Sequence, residues 1–573
     1  MTDARPLLIH GGTVLPCDGT APREALVIEG GRIKAIGSRT DMQAAAGRDA
    51  AVLDVEGATV LPGLIDTHPH AMHFTALRGG MLNLLDARNH DDIVSRIAAR
   101  ARVTPKGEWI ICTPVGEPHY FIRRSYRDLE EGRLPDRGIL DQATSEHPVM
   151  IQAWAPRIPN VCAFNSAALK RLGISWLTPP RVCDVWIDRD NHGEPSGILR
   201  GSVTNYYTHD PFWLQIWSKL PAPREDIWVA GGRAGMAEMN ALGVTTIYEG
   251  HSTEPPHIEA YKTLRRNNEM TCRVLTALDV ANTAFNPHYR PSEADLRATL
   301  ELTLAWTELS DPLHRHSGVT ISRSGPCFPG FINLYEPFRS PYGELKYGYV
   351  FMPKETEEAI VDFCVERDLR FNSVSATPKD HDELLASVRR HRGLDVGARG
   401  WIIQHAIMVS EAHARAYAEH GFKFTTCKGF HWGKGDMYGE RIGRHVWKDL
   451  IPLRRLLDHG IEVGCGTDWG PRNVFEQIQL AVTCEFAGSG YRNLDAGQAV
   501  TREEALLMWT RDAARVLGWE GIGTLSAGNH ADVTIVDRGP LDCPIEDLPA
   551  TRVLATLLGG NTVYESGALP GTH

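Results

Sequence analysis

Residues 61–70 read LPGLIDTHPH. A Pro-Gly pair breaks the chain, three apolar residues follow, and the run closes on an aspartate and two histidines. This is the pattern of a short buried strand with a polar end, and residues two apart on a strand share a face. His68 and His70 are therefore expected to point the same way, at the C-terminal end of that strand. Neutral imidazoles are good ligands for zinc and similar ions. The bland alternative is two loop histidines satisfied by backbone groups.

Working outward, short apolar runs recur through the centre: WIICT (109–113), VTTIYE (244–249), CRVLTAL (272–278), GVTIS (318–322), LRFNSVS (369–375), WIIQHA (401–406), FKFTT (422–426) and IEVGCGTD (461–468). Helical patterns such as ETEEAIVDFCVER (355–367) and DELLASVRRHR (382–392) lie between several of them. Strands alternating with helices indicate parallel βα units, and about eight such units indicate a barrel. GLIDTH is expected as the first barrel strand and the segment ending at Asp468 as the last. Residues of roughly 80–230 are rich in Pro, Trp and Arg and carry few clean repeats. They read as the first βα units bearing a long, partly irregular insertion.

The two ends of the chain resemble each other. LLIHGGTVL and ALVIEGGRIKAIG near the start, and ADVTIVD and RVLATLLGGNTVYESG near the end, are β-rich runs broken by Gly-Gly, as in hairpins. The expectation is an α/β chain: a TIM-like (β/α)8 barrel over 63–519, and a small β-sandwich domain built from 1–62 together with 520–573.

Composition narrows the partners. The net charge of −11 is modest for 573 residues and no long basic run occurs, which argues against nucleic acid. No stretch approaches the roughly 18 apolar residues of a membrane helix, and MTDARPLLIHGG lacks the layout of a signal peptide. The 11 cysteines form no CxxC pair, which suits reduced thiols and a cytoplasmic setting. A small-molecule enzyme is the expected class.

WIIQHA places His405 at the end of a strand, and GCGTDWG places Asp468 at the end of another. Active sites of such barrels lie at the C-terminal ends of the strands. Three histidines and an aspartate delivered there are suited to one divalent ion, most simply Zn²⁺, and its water. Asp468 is then available to take the water's proton, while the ion polarises a carbonyl.

These motifs are similar to those of the amidohydrolase superfamily, in its amidohydrolase-3 branch of N-substituted formamide deformylases and YtcJ-like proteins. LPGLIDTHPH resembles the first-strand motif, NSAALKRLGI (165–174) an Asn-Ser-Ala helix, HGEPSGILR (192–200) a glycine-rich turn, and LGVTTIYEG (242–250) a Gly-Val-Thr strand. GTDWGP (466–471) resembles the last-strand aspartate motif, and GIGTLSAGNHADVTIVD (521–537) the return to the small domain. The resemblance implies hydrolysis of a C–N bond in an amide, formamide or cyclic amide, with His68, His70, His405 and Asp468 as ligands and Asp468 and His405 as catalytic groups. It also implies a possible homodimer.

Three departures qualify it. Thr320 stands where relatives carry a metal-bridging lysine, Asn372 and Ser373 where they carry another histidine, and Asn160 where a substrate-facing histidine is common. A two-metal centre of the usual kind is thus not expected. Glu249 and His251 in IYEGH are alternative ligands or pocket groups, and His431 and Trp469 are further pocket candidates. Lys428 and Lys434 are candidates for an anionic substrate group, and Cys427 reads as an inert buried thiol. Trp154, Trp176, Trp186, Trp432 and Trp469 suggest an aromatic-walled pocket. With the lysine absent, a lyase, isomerase or decarboxylase reaction on the same fold, or a degenerate ligand-binding protein, are the competing readings.

Overall fold

The computed structural model describes residues 5–116, 122–153, 159–204, 209–221, 226–280, 291–308, 310–324 and 332–569, and Trp154 lies outside them. Eight parallel strands follow one another around a barrel: β1 (Leu64–Asp66), β2 (Val244–Glu249), β3 (Arg273–Asp279), β4 (His314–Ser322), β5 (Phe371–Val374), β6 (Ile402–Gln404), β7 (Lys423–Thr426) and β8 (Val463–Cys465). The barrel is closed beyond the last ladder by the Thr67 N–H, which donates to the Cys465 carbonyl at 3.1 Å. Every residue of β2 and β3 is buried. Strands covered on both faces carry near-continuous apolar runs rather than alternation, which is why these runs were legible.

Helices separate the strands, and local chemistry starts them. Thr377 caps the helix Pro378–Arg389 by accepting from the Asp380 N–H, with proline in its first turn. Ser410 caps Glu411–His420 in the same way.

The run at 109–113 is a correction. Ile110–Cys112 is not a barrel strand; it pairs in parallel with Val149–Ile151 at the edge of a separate six-stranded sheet. That sheet continues antiparallel through Asn160–Phe164, Pro195–Gly201, Val185–Arg189 and Arg181–Val182. A short apolar run marks a buried strand without saying which sheet buries it. Leu84, Ile93, Ile97 and Leu140 contribute to one of the sheet's apolar clusters, and Phe164, Leu169, Trp213 and Ile216 to another. The insertion leaves the barrel after the helix Ala71–Gly79 and returns at Asp226–Ala241.

The chain ends share one eight-stranded sheet. Its order runs Asn561–Glu565, Val553–Leu558, Val533–Val536, Thr59–Pro62, Leu7–Val14, Arg23–Glu29 and Arg32–Gly37, with Ala51–Asp54 also on Leu7–Val14. Two of the three terminal Gly-Gly pairs are two-residue hairpin loops: Gly30 and Gly31 have φ of 57° and 76°, Gly559 and Gly560 of 55° and 78°; Gly11 and Gly12, by contrast, lie inside the strand Leu7–Val14. Positive φ at both positions is what turns of the I′ type require. A buried ion pair ties this sheet to the barrel, with Arg273 Nε and Nη2 donating to Asp532 at 2.7 and 3.0 Å. No helix among the described residues is long and apolar enough to cross a membrane.

Candidate metal centre

Strand β1 ends at Asp66, so the shared-face argument for His68 and His70 does not describe how they meet. His68 lies in the turn beyond the strand, and His70 is the N-cap of the helix Ala71–Gly79 with a left-handed backbone, φ 48°. His405 and Asp468 follow β6 and β8 and are also left-handed, with φ of 75° and 43°. Non-glycine residues in this region carry strain that persists where surrounding structure enforces it, commonly at functional sites.

The enforcing structure is visible. Asp66 Oδ1 accepts from the backbone N–H groups of His68 and Thr467 at 2.9 and 3.2 Å, and its Oδ2 accepts from the Thr467 hydroxyl at 2.7 Å. The Asp468 N–H donates to the His68 carbonyl at 2.8 Å. These bonds lace the turn after β1 to the turn after β8. Gly466 is required in that lacing, because a Cβ there would lie 2.5 Å from the His68 nitrogen.

The four expected residues converge. Asp468 Oδ2 lies 3.5 Å from His68 Nε2 and 3.2 Å from His405 Nε2, and its Oδ1 lies 3.5 Å from His70 Nε2. One ligand atom each from His68, His70 and Asp468 falls within 4.8 Å of the others, with all three residues buried. The ring nitrogens of His68 and His405 and the Oδ1 of Asp468 are buried without a hydrogen-bond partner among the described residues. Buried polar atoms are ordinarily satisfied, so this cluster fits a bound cation.

Electrostatics agrees. Burial pushes the His68 imidazole down to about 3, against the pull of Asp468. Burial, reinforced by neighbouring imidazoles, holds His70 and His405 well below the usual range. All three are neutral at physiological pH, the form that ligates metal. Burial raises the Asp468 carboxyl, with His68, His251 and Lys434 acting in the other direction.

His251 joins the cluster, its ring 5.6 Å from that of His68, 5.5 Å from His70 and 5.8 Å from His405. Asp279, at the end of β3, stands behind it with Oδ2 3.5 Å from Nδ1. Glu249 ends β2, and its Oε1 accepts from the Met72 N–H at 3.2 Å and the Tyr261 hydroxyl at 2.9 Å. Burial lifts its carboxyl to about 7 despite these donors. Sequence reasoning missed Asp66, His73 and Asp279. Of these only His73, three residues after His70 on a helix, left a spacing signal.

The residues at the three departures bond to nearby backbone. The Thr320 hydroxyl donates to the Gly250 carbonyl on the barrel wall, and Gln404 Nε2 donates to the same oxygen at 2.8 Å. Asn372 Nδ2 donates to the Val319 carbonyl at 2.8 Å. Each of these side chains donates to a backbone carbonyl. Asn160 opens a strand of the inserted sheet, its Oδ1 accepting from the Val161 N–H at 2.9 Å.

His431 sits on the helix Lys428–Arg441 with its ring 4.6 Å from Phe486 and its Nε2 3.4 Å from Asn493 Nδ2, in helix packing rather than in the histidine cluster. Trp469 packs edge-on against Phe74 at 4.7 Å, and Phe430 against His405 at 5.0 Å, so aromatic rings do flank the centre. Trp176, by contrast, is 64 % exposed on the insertion and is no pocket wall. Trp186 lies beneath Arg181 in the inserted sheet, and Trp432 beneath Arg123. The Cys427 thiol is pushed well above its usual range by burial and donates to the Thr467 carbonyl at 2.9 Å, as an inert thiol would.

Comparison with known proteins places the chain. A sequence model of the amidohydrolase family matches residues 51–564. The chain is 26 % identical to the N-substituted formamide deformylase of Arthrobacter pascens, covering 99 % of each chain. Among solved structures it resembles a metal-dependent hydrolase from Pyrococcus furiosus, with a TM-score of 0.67 and 20 % identity over 94 % of this chain and 100 % of that one. It also resembles the zinc complex of atrazine chlorohydrolase from Arthrobacter aurescens TC1, with a TM-score of 0.52 and 17 % identity over 98 % and 95 % of the two chains. This chain belongs to the amidohydrolase family and shares its barrel fold.

Proposed function

We propose that this amidohydrolase hydrolyses a C–N bond of a small amide, formamide or cyclic amide, using one divalent ion held by His68, His70 and Asp468 with His405 beside them. The observation that carries the reading is the buried trio of ligand atoms, two of them on neutral imidazoles. Two histidines and a carboxylate form a donor set suited to Zn²⁺. The formamide deformylase relative supports the substrate class, and the zinc-bound structural neighbour supports the choice of metal only by its fold.

When bound, the ion supplies Lewis-acid chemistry, making water more acidic and a carbonyl more electrophilic. The chain's own groups handle the proton. Asp468 receives it from the attacking water, at a carboxylate whose Oδ1 has no hydrogen-bond partner among the described residues. His405, 3.2 Å from Oδ2, is placed to pass it to the departing nitrogen. Asp279 holds His251 at the rim of the cluster, where that imidazole is placed to orient the substrate carbonyl. Phe74, Trp469 and Phe430 form apolar sides that restrict water and suit an apolar or aromatic substituent. A cytoplasmic setting and a homodimeric state belong to the same reading; the described cysteines are all free thiols.

The test is a panel of N-substituted formamides and cyclic amides assayed in ¹⁸O-labelled water with zinc-reconstituted protein. Turnover with one labelled oxygen in the product supports the reading. Turnover without label favours the lyase, isomerase or decarboxylase alternative, to which Thr320 in place of a lysine points. Metal content with no turnover on any panel member favours a ligand-binding protein.

A further inference from the structure

Beside the trio already described lies a second one that the proposed hydrolysis does not use. His70, His73 and Glu249 each offer a ligand atom within 4.8 Å of the other two, and all three residues are buried. Their elements bring them together for independent reasons. His73 is one helical turn beyond His70 on Ala71–Gly79, and Glu249 ends the neighbouring strand β2.

Glu249 is oriented as a ligand would be. Both of its recorded donors, the Met72 N–H and the Tyr261 hydroxyl, bind Oε1. Oε2 is buried and has no hydrogen-bond partner among the described residues. A carboxylate with one oxygen fixed by two donors and the other left open is how outer-shell partners position a ligating carboxylate. Around His73 the ring faces of His257, at 4.4 Å, and Trp228, at 5.7 Å, limit its rotation.

We propose that the chain holds a second divalent transition-metal ion at His73, Glu249 Oε2 and His70, on the side of His70 away from Asp468. His70 Nε2 faces Asp468 Oδ1 at 3.5 Å, and Nδ1, on the other side of the ring, is the atom assigned to the second ion. With both positions filled, His70 is a bridging imidazolate, and its ring proton is released to solvent when the second ion binds. Two imidazole nitrogens and a carboxylate oxygen select zinc or a similar ion over magnesium or calcium. The bridge between ions then runs through His70 and not through the position of Thr320, where relatives carry a lysine. The inference rests on the first ion position proposed above only through this shared histidine.

The experiment is zinc content per chain, by elemental analysis, after chelation and dialysis back into excess Zn²⁺. The native protein is expected to hold two ions, and His73→Ala and Glu249→Gln one each. The near-isosteric Glu249→Gln keeps the comparison valid should His73→Ala misfold, with circular dichroism as the check on folding. Native protein with a single ion, or two ions in both variants, overturns the second position. Asp468→Asn separates the two claims, because it is expected to remove the first ion. Two ions persisting in Asp468→Asn, with one in Glu249→Gln, would uphold the second position and reject the first. Copper loading gives a second readout: a bridged pair shows a spin-coupled, weakened electron paramagnetic resonance signal that becomes an ordinary single-copper spectrum in Glu249→Gln. Two uncoupled coppers in the native protein would overturn the bridge.

Discussion

His405 Nε2 and Asp468 Oδ2 stand 3.2 Å apart, each carried by a residue in left-handed backbone just past the end of a barrel strand. At Asp468 the strain, on the order of 1–3 kcal/mol, is offset by the hydrogen bonds that Asp66, Thr467 and the His68 carbonyl supply; at His405 the Thr426 hydroxyl donates to the backbone carbonyl at 2.7 Å.

Asp468→Asn tests the carboxylate without disturbing that backbone, since asparagine also tolerates left-handed φ. The change removes an anionic ligand and a proton acceptor together. We expect kcat/KM to fall by at least about 100-fold, the lower end for positioned proton transfer, together with loss of the ion at His68, His70 and Asp468. Native activity in a folded Asp468→Asn protein would refute the mechanism.

His405 is not one of the three residues whose ligand atoms gather within 4.8 Å. Replacing it with glutamine is therefore expected to leave metal content near native while kcat falls by about 100-fold. Parallel metal analysis and steady-state kinetics check this, and loss of the ion would make His405 a ligand instead of a proton carrier.

Gly466→Ala places a methyl 2.5 Å from the His68 nitrogen, against backbone that cannot move aside cheaply. Displacing a ligand's support commonly costs 10- to 100-fold in metal affinity. A chelator competition assay should show at least a tenfold weaker site in a folded variant; unchanged affinity would mean the turn relaxes freely.

Arg273 and Asp532 form a buried ion pair in which both side chains are only 3 % exposed. Removing one partner strands the other charge, so Arg273→Met should cost about 3–5 kcal/mol, and the double change Arg273→Met with Asp532→Leu much less. Urea unfolding followed by circular dichroism measures both, and equal losses would deny that the stranded charge is the cause.

The metal-free protein should lose stability on acidification. His68 titrates at about 3 and His73 at about 4 in the native fold, against 6.5 when exposed, with burial the main cause. Below about 6.5 the unfolded chain takes up protons that the native chain refuses, so stability present above that pH is lost as pH falls toward those native values. Glu249 acts in the opposite sense. Its native value of about 7 lies above the exposed 4.5, so its contribution is full below 4.5 and lost as pH rises through 7. Thermal melts from pH 4.5 to 7.5 should show His68→Ala less acid-sensitive than native protein and Glu249→Gln less sensitive to rising pH.

Much of the fold is legible in the sequence alone. Near-continuous apolar runs marked the barrel strands because these are largely buried, and Gly30-Gly31 and Gly559-Gly560 marked two terminal hairpins because positive φ makes those turns, whereas Gly11-Gly12 lies within a strand. His68, His70, His405 and Asp468 were legible because each directly follows such a run. The run at 109–113 misled for the same reason, since burial alone does not name the sheet.

What the sequence by itself determined was the set of elements and the residue types at their ends, properties set by local periodicity and backbone conformation. Tertiary structure alone decided the partners across distant segments: His251 with Asp279, Glu249 with the helix that carries His73, and the inserted sheet's strand order. Those meetings depend on strand register and barrel closure, where one hydrogen-bonding step moves a side chain to the other face. Closure brings the turn after β8 against the turn after β1, and the bonds made there hold the left-handed backbone of Asp468.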